Sequence, residues 1–268
     1  MTEGSQSACV AVAILAGERP GGSVLARHFA MPSSVLVPLA GRTPLEFALQ
    51  ALEASAWIDG GWLLGPNPEA LEACPGAHAA VRRAGLKPWP VSSGPAASLL
   101  TLLEAQPNRP LLVTTADHAL LTKDIVDHFI AAARHSNADV VAGLVPYERV
   151  AAAHPESRRT LLKLRDGPFC GANLFWLNNR NADHAVAAWR RFEAHRKAPW
   201  KMVRMLGLGT LGRYLTGQLD SHQAAARLSR LCSARVAFVS LPFANAAVDV
   251  DSIADWSLAE QLLSQQRH

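Results

Sequence analysis

"CVAVAILAGERPGGSVLARHF", Cys9 to Phe29, opens on an unbroken apolar run and then turns into a loop carrying Gly17, Arg19, Gly21 and Gly22. A run of that length, bounded by glycine and polar residues, reads as a buried strand from Cys9 to Leu15. Ala8 to Ala16 is too short to span a bilayer, and neither a basic leader nor a cleavage region accompanies it. Further short apolar runs occur at Val35–Leu39, Gly61–Leu64, Leu111–Thr115, Val140–Val145 and Val236–Leu241. Helical patterns lie between several of them, at Pro44–Ala54, Ala96–Ala105, Thr122–His135 and Ser252–Gln266. This alternation predicts an α/β fold with a mainly parallel sheet covered on both faces, because parallel strands need crossover connections. Ligands of such sheets bind beyond the carboxyl ends of the strands, so the loop after Leu15 stands where function is expected. From about Val150 to Cys232 the alternation gives way to long, arginine-rich helical patterns, read as an insertion or lid within one domain spanning 1–268.

The composition narrows the function classes. With 268 residues, 49% hydrophobic and 18% charged, the chain can bury a sizeable core. Lys and Arg number 26 against 22 Asp and Glu, a formal charge of +4. That excess is too mild to indicate nucleic acid and better suits a small anionic substrate. Cys9, Cys74, Cys170 and Cys232 have no paired short spacing, which argues against a zinc site or disulfide framework; reduced thiols and a cytoplasmic setting are expected.

In "LAGERPGG" the glycines let backbone amides approach a ligand closely and Arg19 adds a cation, an arrangement suited to phosphate as well as to a plain turn. The loop matches neither G-x-G-x-x-G nor the Walker sequence, which disfavours a nicotinamide enzyme or an ATPase. "RPLLVTTADHALLTKDIVDHF" puts Asp117 at the end of the Leu111–Thr115 strand, on the same edge as the glycine loop. A carboxylate there can hold Mg²⁺ against a triphosphate, or serve only as a turn residue. "NAAVDVDSIADWSLAEQL" offers Asp249 and Asp251 after another buried strand; Asp249 is read as the second carboxylate on the metal, and Asp255 as a structural cap of the final helix. His118 is read as lining the site without binding metal, since no second His or Cys stands at ligand spacing.

The succession "LAGERPGG", "LVPLAGRTPLEFALQAL", "SSGPAASLLTLLEA", "LLVTTADHALLT" and "AAVDVDSIADWSLAE" resembles, in order and spacing, the MobA-like nucleotidyltransferases, similar to the molybdenum-cofactor guanylyltransferase and the methylerythritol-phosphate cytidylyltransferase. The resemblance implies a Rossmann-like three-layer α/β/α sandwich of GT-A type. It also implies transfer of a nucleoside monophosphate from an NTP, CTP or GTP, to a phosphorylated acceptor with release of pyrophosphate. By that likeness Leu15, Ala16, Gly17, Glu18, Arg19, Gly21 and Gly22 cradle the triphosphate and Ala116 borders the nucleotide. Ser92, Ser93, Gly94 and Ser98 lie against base and ribose, and Asp117 with Asp249 holds Mg²⁺. Joining two anions at the α-phosphorus requires positive charge and amide dipoles more than a general base, so Arg19 joins Asp117 and Asp249 as the expected catalytic set, with Arg27 as a further cation. The chain departs from the family twice: Glu18 stands where a second glycine is common, and Ser34 where a lysine is common.

In "ESRRTLLKLRDGPFCGANLFWL", Arg158, Arg159, Lys163 and Arg165 precede a tight "DGPFCGAN" turn, and with Asn173 are expected to hold an acceptor phosphate; an alternating basic strand face is the competing reading. "RKAPWKMVRMLGLGTLGRYLTG" mixes aromatic, apolar and basic residues in a way that suits either a membrane surface or a packed helix pair, and Gly207, Gly209 and Gly212 favour the latter. Two other functions stay open: a nucleotide-binding homologue without turnover, and a GT-A sugar transferase, against which "ADHA" replaces the Asp-x-Asp expected at the middle strand.

Overall fold

The computed structural model describes residues 9–18, 21–195 and 207–265. At the centre of the sheet β1 (Val10–Leu15) runs parallel to β4 (Leu111–Thr115), with Ala11 opposite Leu111 and Leu15 opposite Thr115. Beyond β1 lie β2 (Ile58–Leu64) and β3 (Leu86–Trp89), also parallel. Beyond β4 lies β7 (Gly167–Leu177), antiparallel both to β4 and to β5 (Val140–Pro146). The sheet ends in β8 (Val236–Ser240), parallel to β5, while β6 (Leu162–Leu164) pairs with β7 at one end. The strand order is β3-β2-β1-β4-β7-β5-β8, a mainly parallel mixed sheet.

Two-residue periodicity sorts the central strands into two cores. Val10, Val12 and Ile14 of β1 and Leu112 of β4 face Leu45 and Leu49 of α2 (Pro44–Ala54), Val81 of α4 (Pro75–Arg83) and Phe129 of α6 (Lys123–His135). Ala13 of β1 and Leu111 and Val113 of β4 face Leu99, Leu102 and Leu103 of α5 (Pro95–Ala105) and Val186 of α8 (Ala182–His195). The result is the expected three-layer α/β/α sandwich. Helix starts follow local chemistry: the Thr43 hydroxyl accepts from Glu46 N at 3.2 Å with Pro44 in the first turn, and the Thr122 hydroxyl accepts from Ile125 N at 3.3 Å. Shorter helices are α1 (Val24–His28), α3 (Pro68–Glu72) and α7 (Tyr147–Ala153). The chain closes with α9 (Leu208–Leu215), α10 (Ser221–Cys232) and α11 (Ile253–Gln265). A third apolar cluster gathers Leu25, Leu39, Leu120, Val248, Val250, Ala259 and Leu263, which packs α1, the turn after β4 and α11 around the carboxyl end of the sheet.

Two expectations change. Val35–Leu39 is not a strand: Ser34–Leu36 is a 3-10 turn, and Leu39 and Arg42 close a tight turn with bonds of 2.8 and 2.9 Å in which Ala40 and Gly41 have φ of 43° and 73°. The run is apolar because it is buried, while Pro38 within it has no N–H to give to a ladder. The segment 150–232 is also not helical throughout. Its residues 167–177 form β7 in the middle of the sheet, where Cys170, Ala172, Leu174 and Trp176 alternate into the core. Trp176 is 1% exposed, so truncating it to alanine would cost about 3–5 kcal/mol. No helix among the described residues is long and apolar enough to cross a membrane. Residues 196–206 of the mixed basic and aromatic stretch lie outside the described residues.

Candidate active site

Backbone bonds bring three distant segments together at the carboxyl end of the sheet. Ala116 N donates to Leu15 O at 2.9 Å, extending the β1–β4 pairing into the loops, and Val250 N donates to Asp117 O at 3.0 Å. With Val250 buried between them, Asp249 and Asp251 both reach Asp117; one oxygen from each of the three carboxylates lies within 4.8 Å of the others. Asp117 Oδ1 is buried with no hydrogen-bond partner. Burial, and then the charges of Asp249 and Asp251, push the Asp117 carboxyl up to about 7. Hard oxygen donors with one buried, unpartnered oxygen fit a divalent cation of the Mg²⁺ type, which would relieve that repulsion. The sequence reading named Asp117 and Asp249 as ligands and left Asp251 unassigned, although its i+2 spacing across an apolar residue was the available signal. His118 is 1% exposed, and neither ring nitrogen has a partner. Burial lowers its pKa to about 4, so the imidazole is neutral, and it stands outside the carboxylate group.

Asp249 is held on both oxygens. Arg159 Nη1 donates to Oδ1 at 2.5 Å, and Asn173 Nδ2 donates to Oδ2 at 3.2 Å. Arg159 Nη2 donates to Asp255 Oδ1 at 2.6 Å, while Asp255 Oδ2 accepts from Ser252 N and Ser252 Oγ at 3.1 and 2.6 Å as a cap of α11. The four cations expected on an acceptor phosphate are therefore divided. Arg159 is turned into the carboxylate group, Arg165 pairs with Asp220 before α10, and Arg158 and Lys163 are exposed. Asn173, also expected on the acceptor, sits beside Arg159 on Asp249.

The loop after β1 passes between Gly65 and Val91. A Cβ on Gly65, whose φ is +86°, would stand 2.9 Å from Ala16 O and Gly17 N, and one on Gly17 would stand 3.3 Å from Val91 Cγ1. The same packing sets the loop next to the segment Ser92–Ser98, joining two of the expected nucleotide-binding stretches. Ser92 N donates to Ser98 Oγ at 2.8 Å, and Ser98 Oγ donates to Gly94 O at 2.9 Å, which folds that segment over the start of α5. Glu193 of α8, which the sequence reading missed, accepts there from Ala96 N at 3.2 Å. Arg27 Nη1 donates to Gly21 O at 2.7 Å and so braces the glycine turn from outside. Arg19 lies outside the described residues.

The two departures from the family pattern touch each other. Glu18 Oε1 accepts from Ser33 Oγ at 2.9 Å, Ser34 N at 2.5 Å and Ser34 Oγ at 2.9 Å. A carboxylate thus occupies the space between the loop and the 3-10 turn.

Comparison with known proteins accords with this architecture. Among curated proteins no significant match is found. A hypothetical transferase from Thermus thermophilus has 29% sequence identity, with 93% of this chain and 99% of that one covered at a TM-score of 0.77. The 4-diphosphocytidyl-2C-methyl-D-erythritol synthase of Anaerococcus prevotii is 12% identical, with 96% of each chain covered and a TM-score of 0.58. A CMP:2-keto-3-deoxy-manno-octonic acid synthetase complexed with CTP is 10% identical, with 97% of this chain and all (100%) of that one covered at a TM-score of 0.56. The last two share the fold. The model of the MobA-like NTP transferase domain family matches residues 12–216, most of the chain. With that match on a Rossmann-like sheet, the chain belongs to the MobA-like NTP transferase family and is a nucleotidyltransferase.

Proposed function

We propose that the protein transfers a nucleoside monophosphate from an NTP, CTP or GTP, to a phosphorylated small-molecule acceptor, with Mg²⁺ held by Asp117, Asp249 and Asp251. The observation that carries this reading is the meeting of Asp117, whose Oδ1 is buried and unpartnered, with two further carboxylates beside a glycine loop. An acceptor phosphate oxygen forms a bond to the α-phosphorus, the bond to the bridging oxygen breaks, and pyrophosphate leaves with that electron pair. The cation would neutralise charge on the phosphates as it develops. The amides of residues 15–18 and of Gly21 and Gly22 would line the triphosphate, with Arg19 as their cation. Ser92, Ser93, Gly94 and Ser98 would take the nucleoside. Arg158 and Lys163, which are exposed, would then be the cations for an acceptor phosphate. We read 1–268 as one domain in which the parts of 150–232 outside β7 select the acceptor. Its four unpaired cysteines suit a reducing cytoplasmic setting.

A second reading, nucleotide binding without turnover, is favoured by Glu18, whose negative charge lies in the loop proposed to face the triphosphate. An array of NTPs with Mg²⁺ and phosphorylated acceptors, followed by pyrophosphate release, separates the two. Release that requires both NTP and acceptor supports transfer, while NTP binding without release with any acceptor supports the second reading.

A further inference from the structure

Arg159 was expected on the substrate, yet all of its nitrogens are committed to the protein. Nη1 binds Asp249 Oδ1 at 2.5 Å and the Asp249 carbonyl at 3.4 Å, Nη2 binds Asp255 Oδ1 at 2.6 Å, and Nε binds Ser157 Oγ at 2.9 Å. Its side chain is 8% exposed, so little of the fork is open to a ligand. Asn173 adds a donor to the other oxygen of Asp249, and it does so from a φ of 49°, a left-handed backbone uncommon for a residue with a side chain. Each carboxylate oxygen offers two acceptor positions. One donor on each oxygen therefore fixes the plane of the Asp249 carboxylate and leaves room on both for a cation. Asp255 completes the frame, since one of its oxygens caps α11 and the other takes Arg159.

We propose that Arg159, with Asn173, is a positioning residue for the cation site: it orients the Asp249 carboxylate toward Asp117 and Asp251. This rests on the reading of those three carboxylates as the metal site. Two effects of Arg159 on a divalent cation have opposite signs, which makes the proposal testable without turnover. As a mere positive charge it repels the cation, so deleting it would strengthen binding. As the device that aims Asp249, deleting it weakens binding, and loss of such outer partners typically lowers metal affinity about 10–100-fold.

The test is Mn²⁺ binding to the nucleotide-free protein, measured by electron paramagnetic resonance of the free ion, for parent, Arg159→Ala, Arg159→Lys and Asn173→Gly. The glycine variant accommodates the positive φ while removing the amide, so it keeps the test open even where Arg159→Ala fails to fold, which a melting curve detects. The proposal expects affinity to fall about 10–100-fold in Arg159→Ala, with partial recovery in Arg159→Lys, and severalfold in Asn173→Gly. Unchanged or tighter Mn²⁺ binding in folded Arg159→Ala and in Asn173→Gly overturns it while leaving the metal site standing. A parent protein that binds no Mn²⁺ overturns the metal reading itself, and this inference with it.

Discussion

Replacing Glu18 with alanine removes the one acceptor on which Ser33 Oγ, Ser34 N and Ser34 Oγ converge, at 2.9, 2.5 and 2.9 Å. One oxygen has only two acceptor positions, so three donors share what amounts to two charged hydrogen bonds, each worth about 1.5–3 kcal/mol. The contact is partly exposed, and competition from water brings our expectation to about 2–3 kcal/mol in all. For a domain of this size that lowers Tm by roughly 4–12 °C. Glu18→Gln, which keeps an acceptor in place, should cost less than half as much. Ser34→Ala should couple to Glu18→Ala by about 1 kcal/mol in a double-mutant cycle, because the two residues touch. Function should move the other way. Removing a carboxylate from the loop proposed to face the triphosphate relieves like-charge repulsion, so Glu18→Gln should tighten binding of the Mg²⁺–NTP complex about three- to tenfold in calorimetry. Thermal unfolding and nucleotide titration of these variants together decide the matter. A Glu18→Ala protein that melts with the parent and binds NTP no more tightly would refute both halves of the reasoning.

Further predictions follow from other contacts. Asp139 is buried and accepts from Asn179 Nδ2 at 2.8 Å, Arg235 N at 2.7 Å and Arg235 Nη2 at 3.2 Å; burial alone would raise its pKa, but these bonds outweigh burial and hold it down to about 2. A depressed carboxyl stabilises the fold above its ordinary pKa near 4, and that stability, about 2 kcal/mol here, is lost as pH falls from there through about 2. Asp139→Asn should therefore flatten the acid limb of urea unfolding curves between about pH 4 and pH 2, and an unaltered limb would remove Asp139 from the account. Neutralising Arg158 and Lys163 together should raise the acceptor KM about tenfold or more at saturating NTP with NTP affinity kept, as measured by steady-state kinetics; an unmoved KM would place the acceptor elsewhere. Arg165→Ala should cost no more than about 1 kcal/mol in thermal unfolding, because its pair with Asp220 is exposed on the arginine side.

What could be read from the sequence was whatever rests on neighbours along the chain. β1, β4, α2 and α6 were legible because Val10–Leu15 and Leu111–Thr115 are unbroken apolar runs and Pro44–Ala54 and Thr122–His135 carry helical patterns. Asp117 drew notice because it follows a buried strand, and Asp249 because an apolar run precedes it, although that run folds as a 3-10 turn, Ala244–Ala247, and not as the expected strand. β7 was obscured by Pro168, Gly171 and Asn173, which interrupt a strand whose burial alternates all the same. Val35–Leu39 misled in the opposite sense, since a run whose Val35 and Leu36 are buried in the core with α2 and whose Val37 and Leu39 are buried with α11 looks like a run buried in a sheet. The partners of Arg159 were illegible for a plainer reason: Asp249 and Asp255 lie 90 and 96 residues further on, and only the folded chain shows that the guanidinium is consumed by them. Glu18 and Ser34 each stood out alone as a departure from the family, but nothing in either position announces that one answers the other.

The central claim is that Asp117 anchors a catalytic cation, and it is tested most directly by Mg²⁺-dependent pyrophosphate release from the Asp117→Asn protein at saturating NTP and acceptor. A cation that stabilises phosphoryl transfer contributes several kcal/mol, so the account predicts a rate loss of about 100-fold or more. It also predicts a Tm equal to or above the parent's, because a buried, repelled carboxylate has been neutralised. Release at the parental rate from a folded Asp117→Asn protein would contradict the account.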